Sequence, residues 1–316
     1  MEKRWDVFVY GDVNIDIVIP GVEHLPLPGQ EDVVNTMNTY VGGGAALFTL
    51  GLGKLGLSPV FQGSLGDDIY GKYIIEEFEA KHVDCSLINT STIHKTGISI
   101  SFTNEKDRSF LTYRGTNDEL SLSKIEISNV IKARHIHVTG YAGSKNHDSY
   151  LRLLQQIKEK DEVTVSFDIG WDDSGEWYEG IYQLFPYIDV LFMNETEAVH
   201  YGRRDTFREA MYDFAKYCPM PVIKLGKQGS IALVDGNEYR ANPYSVIAVD
   251  TTGAGDSFNA GFIYGYLRGK SVEECLKFGN ACGALSVTAY GGNAGFPTEK
   301  QLHDFMKEQN ERTTRI

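Results

Sequence analysis

Val249-Asp250-Thr251-Thr252-Gly253-Ala254-Gly255-Asp256-Ser257-Phe258 decides how this chain reads. The stretch follows an apolar run, Tyr244 to Val249, with the composition of a strand. It leads into a helical pattern from about Gly255 to Leu267. The small residues Gly253, Ala254 and Gly255 let backbone N–H groups crowd around an anion. A helix N-terminus adds partial positive charge at the same point. Asp256 then stands where a phosphate would be held. A carboxylate is electrostatically costly beside an anion site. The chemistry that warrants it is acceptance of a proton from a hydroxyl attacking the phosphate. The plainer reading is a glycine-rich strand-to-helix turn with an N-capping Asp. Spacing alone leaves both readings open.

The chain of 316 residues suits one large α/β unit with an appendage. Its 42 % hydrophobic content is enough for a sizeable core, and its net charge of -13 opposes a nucleic-acid role. Cys85, Cys218, Cys275 and Cys282 form no C-x-x-C pair, so neither a zinc site nor a disulfide framework is expected. Cys275 and Cys282 share one face of an expected helix and should pack in the core. The first residues, Met1 to Asp6, lack the apolar centre of a signal peptide. No run of about 18 apolar residues marks a membrane span. A cytoplasmic, reducing location is expected, with no membrane or nucleic-acid partner.

Outward from the decisive stretch, apolar runs alternate with helical patterns. Val7 to Tyr10, Val60 to Leu65, His135 to Val138, Val163 to Phe167, Asp189 to Met193 and Pro221 to Leu225 read as strands. Gly42 to Leu55, Ile69 to Lys81, Asp148 to Lys158, Glu195 to Tyr201, Thr206 to Tyr217 and Val272 to Ala289 read as helices. Ile231 to Val234 and Glu238 to Arg240 read as a hairpin. This rhythm implies a mostly parallel sheet covered on both faces. Val33 to Val41, Gly97 to Thr103 and Ser109 to Tyr113 alternate in polarity and stand outside the rhythm. They suit a small separate sheet acting as a lid.

Gly51-Leu52-Gly53-Lys54-Leu55-Gly56 fits the dinucleotide fingerprint G-x-G-x-x-G. The fingerprint should follow a strand and open a helix. This one closes a helix, with Gly56 as its C-terminal residue. Asn14 and Asp16 lie two apart, so on a strand they share one side. They suit a ligand with several hydroxyls, each needing a partner when buried. Asn194 ends a strand and Glu197 falls in the following first helical turn. That placing is ordinary helix-dipole chemistry. An amide and a carboxylate there also suit hydrated Mg2+ near phosphates.

Asp250-Thr251-Thr252-Gly253-Ala254-Gly255-Asp256-Ser257-Phe258 resembles the C-terminal signature of the ribokinase-like (PfkB) carbohydrate kinases. The resemblance runs from about Asp6 to about Pro297. It implies a ribokinase-like three-layer α/β/α fold with a β-lid, and phosphoryl transfer from ATP to a sugar hydroxyl. The expected division is 1–14, 42–95 and 116–316 for the catalytic domain, and 15–41 with 96–115 for the lid. Asp256 would be the base, and the N–H groups of Gly253, Ala254 and Gly255 would stabilise transition-state charge. Asn14, Asp16, Gly42 and Gly43 match the sugar site. Many members carry Asn where this chain has Leu47, which speaks against ribose itself. Leu65-Gly66-Asp67-Asp68-Ile69-Tyr70-Gly71 resembles the family's G-x-D-x-x-G turn, which turn chemistry and an N-cap explain. Asn194 and Glu197 resemble its N-x-x-E motif, near Mg2+. Lys224-Leu225-Gly226-Lys227-Gln228-Gly229 resembles the T-L-G-x-x-G segment lining the nucleotide, with Lys224 in place of Thr. Asn280 lies where members contact the base. Asp250 and the Thr252 carbonyl match a monovalent-cation site, implying K+.

Ketodeoxygluconate kinases of this family often carry an Arg in the loop that is Trp171-Asp172-Asp173-Ser174 here. The acidic loop argues for a neutral sugar, and Arg114 in the lid partly offsets that argument. A sugar-acid kinase, a nucleoside kinase of the same fold and a non-catalytic sensor are the alternatives. A homodimer through the lid is a further expectation.

Overall fold

Runs of apolar residues with little polar alternation become the strands of one central sheet. The computed structural model describes residues 3–22, 25–103, 108–160 and 163–314. Parts of the expected insertions, residues 23–24 and 104–107, lie outside them, as do residues 1–2, 161–162 and 315–316. The first third supplies β1 (Trp5–Tyr10), β2 (Asn14–Pro20), β3 (Asn38–Gly42), α1 (Gly44–Lys54), β4 (Pro59–Gln62), β5 (Ser64–Gly66), α2 (Ile69–Glu79), β6 (Asn89–Ser91), β7 (Gly97–Thr103) and β8 (Arg108–Tyr113). After these the strand–helix rhythm sets in with α3 (Ile127–Val130), β9 (Ala133–Val138), α4 (His147–Lys158), β10 (Thr164–Asp168), β11 (Val190–Asn194), α5 (Glu195–Gly202), α6 (Phe207–Phe214) and β12 (Pro221–Lys224). The hairpin β13 (Ser230–Val234) and β14 (Asn237–Ala241) precedes α7 (Ala254–Leu267), α8 (Val272–Ser286) and α9 (Glu299–Thr314).

The large sheet has the order β14-β13-β12-β11-β10-β9-β1-β4. Its strands from β12 to β4 are parallel, and the β13–β14 hairpin adds an antiparallel edge. Successive residues of β1 face opposite layers, as a period of two requires. Phe8 enters a core with Ile136, Phe167, Leu154 and Phe214, beside α4, α5 and α6. Val7 and Val9 enter another with Phe48, Phe192, Phe262 and Cys282, beside α1, α7 and α8. The result is the expected three-layer α/β/α arrangement. α7 and α8 meet at Gly261, where a Cβ would stand 2.6 Å from the Cys282 sulfur. Cys275 and Cys282 are buried in the core, as expected.

The small sheet has the order β3-β2-β7-β8. Its register sorts chemistry by face. Asp16 pairs with Tyr40 and Ser99, and Ser99 pairs with Thr112. Ile15 pairs with Val41 and Ile98, and Ile98 with Tyr113. One face is therefore polar, carrying Asn14 and Asp16, and the other apolar.

Three expectations need correction. Of Val33 to Val41, only the end from Asn38 pairs, while Val33 and Met37 are exposed. In the β2–β3 register Pro20, the last residue of β2, would stand opposite Thr36, and the chain turns at Gly21 with φ +78°, so Val33 to Asn35 have no β2 residue opposite them. The run Val60 to Leu65 divides at Gly63, after which β5 leaves the large sheet to pair with β6. Tyr244 to Val249 is no strand: Ile247 is exposed, and Val249 N–H bonds the Val287 carbonyl 2.7 Å away instead. It follows β14, whose edge it does not join. The helix α9 lies beyond the elements read from the sequence.

Candidate active site

Gly253, the N-cap of α7, has φ +71°. A Cβ there would stand 2.4 Å from the Gly292 carbonyl oxygen, so only glycine fits. Leu47 packs against the same point at 3.1 Å, so this residue, where many family members carry Asn, seats the turn apolarly. No side chain caps α7 among the described residues. Ala254 N–H reaches the Thr251 carbonyl at 3.3 Å, and with no side-chain cap the turn is in the condition in which a helix N-terminus takes an anion. Asp256 is not the N-cap that the plainer reading required; it is the third residue of the helix.

Asp256 is half-buried at the mouth of a dense acidic cluster. Burial, then the neighbouring Asp168, holds its carboxyl well above the ordinary range, against the lowering effect of Lys224; Asp12 adds to the rise. A carboxyl raised toward neutrality is a stronger proton acceptor than a free one. Lys224 Nζ donates to Asp168 Oδ2 at 2.9 Å. Burial alone would lower this ammonium, but Asp168, Glu197 and Asp256 together hold it above the usual Lys range. Nζ lies 3.4 Å from where a Gly255 Cβ would stand, against the first turn of α7. Lys224 thus brings a positive charge, paired with Asp168, to the first turn of α7.

Asp12 accepts from the backbone N–H of Gly44 at 3.0 Å and of Ala45 at 3.1 Å. It thereby caps α1, whose N-terminus faces the same cleft. A Cβ on Gly44 would be 3.3 Å from Asp256 Oδ1 and 4.0 Å from Asp12 Oδ1, so the two carboxylates flank that glycine. Gly43, at φ +93°, presses on the Asp12 carbonyl, where a Cβ would come within 2.7 Å. Gly42 makes room for Asp16, whose carboxylate would be 2.2 Å from a Cβ there. The Asn14 amide donates to Asp16 Oδ1 at 2.7 Å. Burial lifts the Asp16 carboxyl to about 6, opposed by Asn14 and assisted by Asp12 and Asp250. Asn14, Asp16, Gly42 and Gly43 therefore converge with Asp256 through Asp12.

Asn194 and Glu197 form a reciprocal capping box on α5. Glu197 N–H donates to Asn194 Oδ1 at 2.8 Å, and Asn194 N–H to Glu197 Oε2 at 2.7 Å. Glu197 stands in the first turn as the helix-dipole reading has it, and the reciprocal cap is an addition to that reading. Burial and Asp168 also raise the Glu197 carboxyl, so it belongs to the same cluster. Gly226, at φ +54°, has open space where a Cβ would project. Gly229, at φ +85°, would meet the Ala241 carbonyl at 2.1 Å. Asn280 is buried, and its Nδ2 donates at 3.0 Å to the carbonyls of both Ala241 and Asn242. It ties α8 to the end of β14. Asp250 Oδ1 accepts from the N–H and hydroxyl of Thr252, and Oδ2 accepts from Gly291 N–H at 3.0 Å.

Arg114 turns its guanidinium to Asp118, an exposed pair at 2.8 Å. Its carbonyl oxygen stands 2.8 Å from where a Gly97 Cβ would be, beside Asn14. Asp172 ties its own loop, accepting from Ser174 and from Trp177 N–H. Asp68 caps α2 at Tyr70 and Gly71 and is structural. Gly51 and Gly53 are packing glycines of α1, pressed on Ala260 and the Lys81 carbonyl. The sequence reading missed Asp12, Asp168 and Asn259. The signal was available for two of them: each Asp closes or follows an apolar strand run at the edge where parallel sheets place ligands.

The family description "pfkB family carbohydrate kinase" matches residues 5–299. An uncharacterized sugar kinase of Archaeoglobus fulgidus is 30 % identical over 78 % of this chain and 98 % of its own length. A 5-dehydro-2-deoxygluconokinase of Bacillus subtilis is 28 % identical, covering 98 % of both chains. The structure of Arabidopsis thaliana ribokinase complexed with ribose and ATP superposes with a TM-score of 0.84 at 25 % identity, covering 97 % of this chain and 99 % of that one. With the glycine turn, the strand-end carboxylates and the sheet order already described, these matches make the chain a member of the pfkB family of carbohydrate kinases, enzymes that transfer a phosphoryl group to a sugar hydroxyl.

Proposed function

We propose that the protein transfers the γ-phosphoryl of ATP to a hydroxyl of a small neutral carbohydrate, with Asp256 as general base. The observation that carries this reading is Asp256 itself: a carboxyl held above its ordinary range in the first turn of an uncapped helix, with Lys224 alongside. The sugar oxygen forms the new P–O bond while its proton passes to Asp256. The bond between the γ-phosphorus and the bridging oxygen breaks, and ADP leaves. Gly253, Ala254 and Gly255 N–H groups and the Lys224 ammonium stabilise the charge that develops. Asn14, Asp16, Gly42 and Gly43 orient the sugar. The Gly226–Gly229 turn lines the nucleotide, and Asn280 shapes that wall by holding Ala241 and Asn242.

Among the described residues no cluster of His, Cys, Asp and Glu is poised to hold a metal alone. Asn194 Oδ1 and Glu197 Oε2 already accept backbone bonds. Contact with Mg2+ through water fits these residues, and the buried Asp168 Oδ1, without a hydrogen-bond partner, is a further oxygen in the same place. Mg2+ would supply charge neutralisation of the ATP phosphates. K+ at Asp250 and the Thr252 carbonyl is part of the proposal, tested by replacing K+ with choline. The cytoplasm suits this reading, since it supplies ATP and keeps the four thiols reduced.

Neutrality of the sugar rests on charge. Asp12, Asp16, Asp168, Glu197 and Asp256 line or border the cleft, Lys224 is paired with Asp168, and Arg114 with Asp118. A sugar acid is the second reading, favoured by the name of the Bacillus subtilis relative. An ADP-release screen over ribose, fructose, tagatose, 5-dehydro-2-deoxygluconate, ketodeoxygluconate and adenosine decides. A sugar acid with the highest kcat/KM refutes the neutral reading. No turnover with any member of the panel refutes the kinase reading in favour of a sensor.

A further inference from the structure

We propose that Asp168 and Asn259 are positioning residues of the phosphoryl transfer, holding the Lys224 ammonium at the first turn of α7. The proposal rests on the kinase reading above and on Lys224 meeting a phosphate. β11 separates β10 from β12 in the sheet, so Asp168 and Lys224 end strands two apart. Strands lie about 4.8 Å apart, so about 10 Å of sheet edge separates the two strand ends, a gap that the Lys224 stem, the 2.9 Å hydrogen bond and the Asp168 side chain span together. The stem lies across the end of β11 with α7 above it. Gly255 and Asn259 are four residues apart and share a face of that helix. Gly255 leaves room for Nζ, at 3.4 Å from its missing Cβ. Asn259 Nδ2 donates to Asp168 Oδ2 at 2.6 Å, the oxygen that also accepts from Lys224 at 2.9 Å.

This arrangement answers a physical problem. A lysine stem is flexible and carries about 2 kcal/mol of rotamer entropy. Around Lys224 stand three carboxylates, Asp168, Glu197 and Asp256. An ammonium drawn onto Asp256 would neutralise the base. The amide of Asn259 fixes the Asp168 carboxylate, and Asp168 in turn fixes Nζ beside Gly255. An ammonium has three N–H donors. Among the described residues its hydrogen bond goes to Asp168. Two donors remain for phosphoryl oxygens at the helix N-terminus. A purely structural role explains the cluster poorly, because a buried ion pair stabilises little compared with apolar packing. Asp168 Oδ1 and Asn259 Oδ1 are also buried without hydrogen-bond partners. Unsatisfied buried acceptors are rare and gather where function requires them.

The test is a double-variant cycle on Asp168→Asn and Lys224→Met. Its readouts are kcat and KM for the panel sugar with the highest kcat/KM, and calorimetric binding of a non-hydrolysable ATP analogue. Lys224→Met should lower kcat by about 10²-fold or more with sugar KM within threefold. Asp168→Asn should lower kcat at least about tenfold alone, yet less than about twofold in the Lys224→Met background. Equal losses in both backgrounds overturn the positioning role while leaving Lys224 at the phosphate. An unchanged kcat for Lys224→Met overturns both. Absence of wild-type turnover on the whole panel defeats the kinase reading instead. Should Asp168→Asn fail to fold, Asn259→Leu, which alters no charge, runs the same cycle with the same criteria.

Discussion

Replacing Asp256 by Asn removes the proposed base while keeping its size. General-base removal costs about 10²- to 10⁴-fold in rate, or about 2.7–5.4 kcal/mol of barrier. The structure adds a second expectation of opposite sign. The folded Asp256 carboxyl sits well above its ordinary value, chiefly through burial and Asp168. A group whose folded pKa exceeds its unfolded one favours folding below the unfolded pKa and loses that contribution as pH rises through the folded pKa. At neutral pH ionised Asp256 therefore strains the fold, by about 1.4 kcal/mol for every tenfold gain in its proton affinity on folding. Asn carries no such strain, and Lys224 keeps its partner Asp168. The variant should melt higher than wild type at neutral pH, and the gap should close as pH falls below about 4. ADP release gives kcat, and calorimetry with an ATP analogue gives an affinity equal to or tighter than wild type. A kcat loss under about threefold removes Asp256 from the chemistry. A variant that melts lower than wild type at neutral pH refutes the electrostatic argument.

The Asp16 carboxyl, lifted to about 6 by burial, must be ionised to accept sugar hydroxyls. Sugar KM should rise as pH falls below 6, and Asp16→Asn should abolish that dependence; a parallel pH profile for the variant contradicts this. His137 is buried, bonds Ser166 at 2.7 Å, stacks on Phe48 at 3.8 Å and is lowered by burial to about 3. Its unfolded value near 6.5 means that wild type loses about 2 kcal/mol between about pH 7.5 and pH 5 through this group. In His137→Asn the stability deficit relative to wild type should shrink by that amount on the same descent, measured by urea unfolding. A constant deficit means that His137 is not buried neutral. The apolar face of the small sheet exposes Leu111 and Tyr113, at 58 % and 50 %. We expect this face to pair two copies, so Leu111→Lys should turn a dimer into a monomer by sedimentation; a monomeric wild type refutes the expectation. Amide protection in β3 and β7 should increase with saturating sugar, and unchanged protection with intact turnover removes the small sheet as the closing element.

Local chemistry was legible wherever short-range steric or periodic rules apply. The glycine turn at Gly253 to Gly255, the alternation of strands and helices, and the shared side of Asn14 and Asp16 all follow from residue size and a period of two or 3.6. The family resemblance came from that same turn. Pairing was not legible where it depends on what lies opposite. Tyr244 to Val249 has strand composition but pairs with no strand among the described residues, and Val33 to Asn35 run past the end of β2. Electrostatic partnership was hidden for the same reason. Lys224 and Asn259 lie 56 and 91 residues along the chain from Asp168, and nothing local to any of the three names the others. Arg114 read as a cation over the site, yet its neighbour four residues on takes its charge. Asn280 read as a base contact or a solvated residue, and it is a buried tie between α8 and β14. Sequence alone determined the turn that can hold a phosphate, because backbone sterics are local. Which charges surround that phosphate was decided only when the sheet set strand ends side by side, because Coulomb interactions depend on distance in space.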